Sequence, residues 1–148
     1  MNLRRRNVLL AIILSALVSG AQATEDYGPY KAKVLRVIDG DTVQIEAAIW
    51  PGLIQRTKLR LAGVNTPEKR GRGISNCEKQ AGHAATAFTR RFLAGAQNVT
   101  VSGIRLGKYA GRMLGSLHVD GKSLEQALLE AGHARPYRGR RRQPWCQD

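Results

Sequence analysis

Soft metal-binding side chains are nearly missing from this chain: its 148 residues include two cysteines and three histidines. No CxxC pair or Cys/His cluster occurs, which excludes a zinc site of the usual ligand spacing. His83, His118 and His133 fall on three separate elements, and each is expected to be a structural or surface residue rather than a metal ligand. Also missing is any apolar stretch near the roughly 20 residues that a membrane-spanning helix needs. Neither internal repeats nor a second domain is evident, so the length reads as one domain around one core. Acidic residues are the last shortage, 11 against 24 lysines and arginines, for a formal charge of +13. A surface this basic attracts polyanions, nucleic acid first and anionic envelope components second.

What is present begins with an address. "MNLRRRNVLLAIILSALVSGAQA", Met1 to Ala23, has three arginines, an apolar run from Val8 to Val18 and Ala21-Gln22-Ala23 at its end. That is the layout of a secretory signal peptide cut after Ala23, with an uncleaved N-terminal anchor as the alternative. The expected organisation is a signal peptide over 1–23 and one domain over 24–148, periplasmic or extracellular, monomeric, and without stable membrane association after cleavage. In an oxidising compartment the even pair Cys77 and Cys146 reads as one disulfide, contributing about 4 kcal/mol in the chain-entropy model. Without export, both would be free thiols.

The body of the chain starts with β patterning. "KAKVLRVI" runs into Asp39-Gly40, a hairpin turn signal, and "DTVQIEAA" follows with Val43, Ile45 and Ala47 on one face. Trp50-Pro51-Gly52 turns the chain into a third strand, "RTKLRLAGV". Ser75 and Glu78 fit a capping box, and Ala81, Ala84, Ala85, Phe88 and Phe92 recur at helical spacing behind it. "NVTVSG" and "RMLGSLHV" read as two further strands. A second helix follows, capped by Ser123 and Gln126, with Leu124, Ala127, Leu128 and Ala131 inward and Gly132 as its stop. Three strands, a helix, two strands and a helix is the order of a mainly β, α+β domain. It predicts a five-stranded OB-type Greek-key barrel with two to three packed helices and a basic tail over 138–148.

Three stretches hold residues that can do chemistry. In "DGDT", Asp41 shares the parity of Val43 and Ile45, so it leans toward the barrel's inner face at the rim. A carboxylate there costs free energy unless it is paired or holds a cation. In "LAGVNTPEK", Asn65, Thr66 and Glu68 offer an amide oxygen, a backbone carbonyl and a carboxylate, hard donors that suit Ca²⁺ or Mg²⁺. The plain alternative is an Asx-type turn before Pro67. Arg60, on the strand leading there, has the planar fork that grips a phosphate with two parallel bonds. In "GKYAGRML", Gly107 and Gly111 flank Lys108-Tyr109, and Arg112 opens the next strand; alone this is a flexible loop with a surface arginine.

Taken together, "VIDGDTVQI", "LRLAGVNTPE", "AFTRR" and "KYAGR" resemble, in order, the motifs of the staphylococcal nuclease (thermonuclease) family, over residues 31 to about 137. The resemblance implies an OB-fold barrel and a Ca²⁺-dependent phosphodiesterase that cleaves DNA and RNA to 3′-phosphate products. It implies Asp41 as metal carboxylate, Asn65 in place of a second metal aspartate, and Thr66 as a carbonyl ligand. Glu68 would be the general base on water, and Arg60 and Arg112 the pair that holds the phosphate. Lys108 and Tyr109 would contact a terminal phosphate, and Tyr137 would stack a base. Three departures stand out: the neutral Asn65, which implies one weakly bound Ca²⁺; the extra residue between Tyr109 and Gly111; and the short basic tail. Trp145 is expected near the cysteine pair, and Arg138 and Arg140 to Arg142 either contact substrate or are simply solvated. The competing readings are an OB-fold nucleic-acid-binding protein whose catalysis has weakened or lapsed, and a cationic envelope-associated protein acting by charge alone.

Overall fold

A computed structural model describes residues 27–146, so the expected signal peptide lies outside the described residues. Five long strands carry the fold: β1 (Tyr30–Asp39), β2 (Thr42–Trp50), β3 (Leu53–Leu61), β5 (Val99–Leu106) and β6 (Arg112–Val119). They pair in the order β3-β2-β1-β5-β6, and β6 pairs again with β3, which closes an OB-type barrel. The β3–β6 closure is parallel and the other ladders are antiparallel. The two-residue strands are β4 (Val64–Asn65), β7 (Lys122–Ser123) and β8 (Arg135–Pro136), with β4 and β8 paired to each other. Helices α1 (Asn76–Leu93) and α2 (Leu124–Glu130) complete the described residues, without a third helix. No helix among the described residues is long and apolar enough to cross a membrane.

The core follows from alternation. Val43, Ile45 and Ala47 on β2, Leu59 and Leu61 on β3, Val101 on β5 and Leu117 on β6 fill the barrel, and Leu124 and Leu128 of α2 pack on it. Residues between them should face water, and most do. Arg60 does not: its parity points it off the core face, yet it is 7% exposed.

Local details depart from the sequence pattern in instructive ways. The hairpin turn is Gly40-Asp41, not Asp39-Gly40, since Asp39 pairs with Thr42 across it. Gly40 is needed there for room: a Cβ would lie 2.8 Å from the Ala85 methyl and 2.8 Å from Thr66 Oγ1. The buried face of α1 is Gly82, Ala85, Thr86 and Thr89, while Ala84 is exposed and Phe88 is only half-buried. Small residues win that face because the helix lies almost on backbone. A Cβ on Gly82 would come within 2.5 Å of Lys69 N, and Thr89 Oγ1 donates to Gly40 O at 2.7 Å. Only half of the capping box forms: Ser75 Oγ accepts from Glu78 N, but the Glu78 carboxylate accepts from Glu68 N, 3.2 Å away. Helix α1 thereby seats both the Gly40-Asp41 turn and the Glu68 loop. On α2, Ser123 Oγ caps Gln126 N as the sequence implied, and Ala131 lies exposed at the C-cap.

Candidate functional site

Three neighbouring pieces of chain, the β1–β2 turn, the end of β3 and the β4 turn, meet at one rim of the barrel. Asp41 is buried there, and each of its carboxylate oxygens has a partner. Oδ1 accepts from Thr42 Oγ1 at 3.0 Å; Oδ2 accepts from the Thr66 backbone N–H at 3.0 Å and pairs with Arg60 Nη1 at 3.0 Å. Arg60 also uses Nη1 and Nη2 on the turn that follows it. Nη1 also reaches Leu61 O at 3.4 Å and Val64 O at 3.2 Å, and Nη2 donates to Asn65 Oδ1 at 3.0 Å. The guanidinium lies 5.8 Å from the Tyr137 ring centroid. Asp41, Arg60, Asn65 and Thr66 thus form one buried network. The amide oxygen of Asn65 faces Arg60, and an amide oxygen has a second lone pair for another partner.

Sequence reasoning treated Asp39 as a turn residue and missed its part in the site. Its Oδ1 is buried with no hydrogen-bond partner among the described residues. Burial, then the adjacent Asp41 carboxylate, push the Asp39 carboxyl up to about 6. Two carboxylates side by side, one with an orphaned oxygen, form a hard-donor pair that a divalent cation would relieve. The donor set of Asp39, Asp41, the Thr66 carbonyl and the Asn65 amide oxygen fits Ca²⁺ or Mg²⁺ in type. Carboxylates two residues apart at a tight turn were the available signal.

Glu68 stands beside this network in the loop before α1. Its carboxylate pairs with Arg142 Nη1 from the C-terminal tail. Burial works against the Arg142 charge, but the Glu68 charge and hydrogen bond outweigh it, with Asp41 and Tyr137 adding, so the guanidinium is held above its ordinary value. Lys69, next along, donates to Ile38 O and ties the loop to the end of β1.

Arg112 is the first residue of β6, opposite Lys58, one register step of two residues from the Arg60–Leu114 pair. The two arginines therefore sit on adjoining strands at the same rim. Arg112 is half-buried, and its guanidinium packs 4.8 Å from the Tyr109 ring centroid with Nε buried and unpartnered among the described residues. Lys108 Nζ lies 5.9 Å from that ring, and both Lys108 and Tyr109 are exposed. No hydrogen bond or ion pair joins Arg112, Lys108 or Tyr109 to Asp41 or Glu68 among the described residues, so the structure gathers the first group tightly and the second only into the neighbourhood.

The tail is built, not loose. Tyr137 N donates to Gly63 O at 2.8 Å, and Cys146 is bonded to Cys77 in the first turn of α1. From β8, Arg135 Nη1 donates to Pro144 O at 3.0 Å, and its guanidinium stacks 4.2 Å above Trp145.

A family model described as Staphylococcal nuclease homologue matches residues 58–147, which take in Arg60, Asn65, Glu68, Arg112 and the tail. Among curated proteins, one from Escherichia coli O157:H7 named "Uncharacterized endonuclease" is 30% identical over 106 residues, covering 71% of this chain. Another of the same name from Escherichia coli is 29% identical over the same length. The match spans 60% of the length of each relative.

Proposed function

Because the chain belongs to the family of staphylococcal nuclease homologues, we propose that it is a nuclease, a metal-dependent hydrolase of phosphodiester bonds in DNA and RNA. The observation that carries this reading is the buried Asp41–Arg60–Asn65–Thr66 network with Glu68 beside it and Arg112 on the adjoining strand. A binding barrel needs surface charge, not a guanidinium held at 9% side-chain exposure against a carboxylate. The endonuclease names of the relatives support the same reading.

The chemistry asks for three things: a held phosphate, an activated water and stabilisation of the charge added in the five-coordinate state. Arg60 is oriented by two backbone carbonyls and Asn65, so its place is set before substrate arrives, which is how a preorganised donor contributes most. Arg112, half-buried on the adjoining strand, is the second donor to the phosphate oxygens. Glu68 takes the proton of the attacking water as oxygen bonds to phosphorus; the P–O5′ bond breaks and the leaving oxygen takes a proton from solvent, leaving a 3′-phosphate. Asp39, Asp41, Asn65 and the Thr66 carbonyl are the residues that would hold Ca²⁺, a Lewis acid that lowers the charge on the phosphate oxygens. With Asn65 neutral, its affinity is expected in the weak range of extracellular sites, about 10⁻⁴ to 10⁻³ M. The Cys77–Cys146 disulfide supports an oxidising compartment, and with it export.

The deciding test is purified protein with plasmid DNA and with RNA, in calcium or in chelator, beside Glu68→Gln. Calcium-dependent nicking that the variant loses supports the enzyme. Retarded but intact DNA supports the binding protein instead, a reading favoured by one observation, the engagement of Glu68 by Arg142.

A further inference from the structure

The C-terminal segment has no role in the chemistry above, yet it is anchored at both ends. It leaves β8, which pairs Arg135 with Asn65, and ends on α1 through Cys146. It therefore passes from one side of the Glu68 loop to the other. Arg135 fastens it from within, on Pro144 O and the Trp145 ring. Arg142 marks where it meets the site, at the Glu68 carboxylate. A cleft of about 610 Å³ is lined by this segment, by β8 and by Asn65.

Three other arginines of the segment behave differently. Arg138, Arg140 and Arg141 line the cleft, are exposed, and have no carboxylate partner among the described residues. Guanidiniums so close in sequence repel one another, and a free tail would spread them. Here the disulfide and Arg135 hold them beside a second set of groups, the Tyr137 and Trp145 rings that line the same cleft. Cations aligned with aromatic faces form the platform that single-stranded nucleic acid uses, phosphates on the one and bases on the other. The size agrees, since clefts of about 300–1,000 Å³ take a small ligand, here a nucleotide or two of one strand, and not a duplex.

We propose that residues 137–146 are a disulfide-held arm that forms the second wall of the substrate groove, gripping the backbone of a single strand beside the scissile phosphate through Arg138, Arg140 and Arg141. The arm's role rests on the nuclease reading, but its binding is measurable without turnover.

The experiment is fluorescence anisotropy of labelled oligothymidylate with the full disulfide-bonded protein, in chelator so that nothing is cut, across about 50 to 200 mM salt. Each single-strand phosphate contact adds about 0.7 to the slope of log K against log salt, so Arg138→Gln, Arg140→Gln and Arg141→Gln combined should flatten it by about 2 and weaken binding at least ~10-fold at low salt. All three residues are exposed, so the variant is expected to fold. A second variant, Cys77→Ser with Cys146→Ser, keeps every charge and frees the arm; several-fold weaker binding is expected from it. An unchanged slope in the triple variant overturns the arm as a strand-binding wall. Wild-type affinity in the serine variant overturns the claim that the bridge holds it. Plasmid nicking in calcium is scored separately: its absence in the wild type would sink the nuclease reading and leave the anisotropy result standing.

Discussion

The two sides of the candidate site are held by different means. On the β2–β3–β4 side, Arg60 spends its donors on Asp41, Asn65 and two backbone carbonyls, all below one-tenth exposure or in backbone. On the other side, Arg112 rests on the exposed Tyr109 ring with a donor to spare, and the arm's arginines line an open cleft. Polar groups inside a low-dielectric region must be paired or the fold loses free energy. Groups left unpaired at an exposed rim are hydrated and open to a ligand in place of water. The first side is thus satisfied largely within the protein, and the second is left largely open to solvent.

That contrast predicts how each side breaks. The largest effect is expected from Arg60→Gln, which strands the Asp41 charge. Stability should fall by about 3–5 kcal/mol in urea titration, and nicking should vanish with it. A variant of wild-type stability would mean that the buried pair is not the keystone of its side. Opening the disulfide by Cys77→Ser with Cys146→Ser comes next, with a loss of up to about 4 kcal/mol from the cross-linked loop. Arg112→Gln should separate the two properties: nicking down by about 10²-fold, the usual result of removing one preorganised donor, with stability changed by less than about 0.5 kcal/mol. An equal loss of both would erase the distinction between the sides.

The smallest expected effect lies away from the site and serves as a control. Glu125 is buried in α2, where its carboxylate accepts from Leu117 N and Ser123 Oγ, and burial raises its carboxyl above the usual glutamate value. The folded state then holds its proton to higher pH than the unfolded one, so this group's contribution to stability falls as pH rises through that interval. Glu125→Gln should flatten the decline just above about pH 4.3, the usual glutamate value. A steeper pH dependence in the variant, followed by thermal unfolding, would contradict the assignment.

Much of the site was legible because it lies where short-range rules apply. Alternation at Val43, Ile45, Leu59 and Leu61 located strands, and the succession of strands and helices along the chain suggested the barrel. Asp41 stood out as a carboxylate with core parity, and the donors of Asn65-Thr66 clustered within one turn. Other features were not legible because they depend on approach between distant segments. Gly40 looked like a turn glycine, whereas the nearness of Ala85 and Thr66 is what requires it. Glu78 looked like half of a capping box, yet the Glu68 backbone claims it. Asp39 looked dispensable until burial left its oxygen without a partner.

By itself, then, the order of residues determined the strands and helices, the chain's positive charge and the hard-oxygen character of one turn, since periodicity and side-chain chemistry are local properties. Only the tertiary structure decided that a basic tail is an arm. The cysteine count already paired Cys146 with Cys77, but the ion pair between Arg142 and Glu68 joins residues far apart in the chain, and no local pattern encodes which distant segments the closed barrel brings within reach.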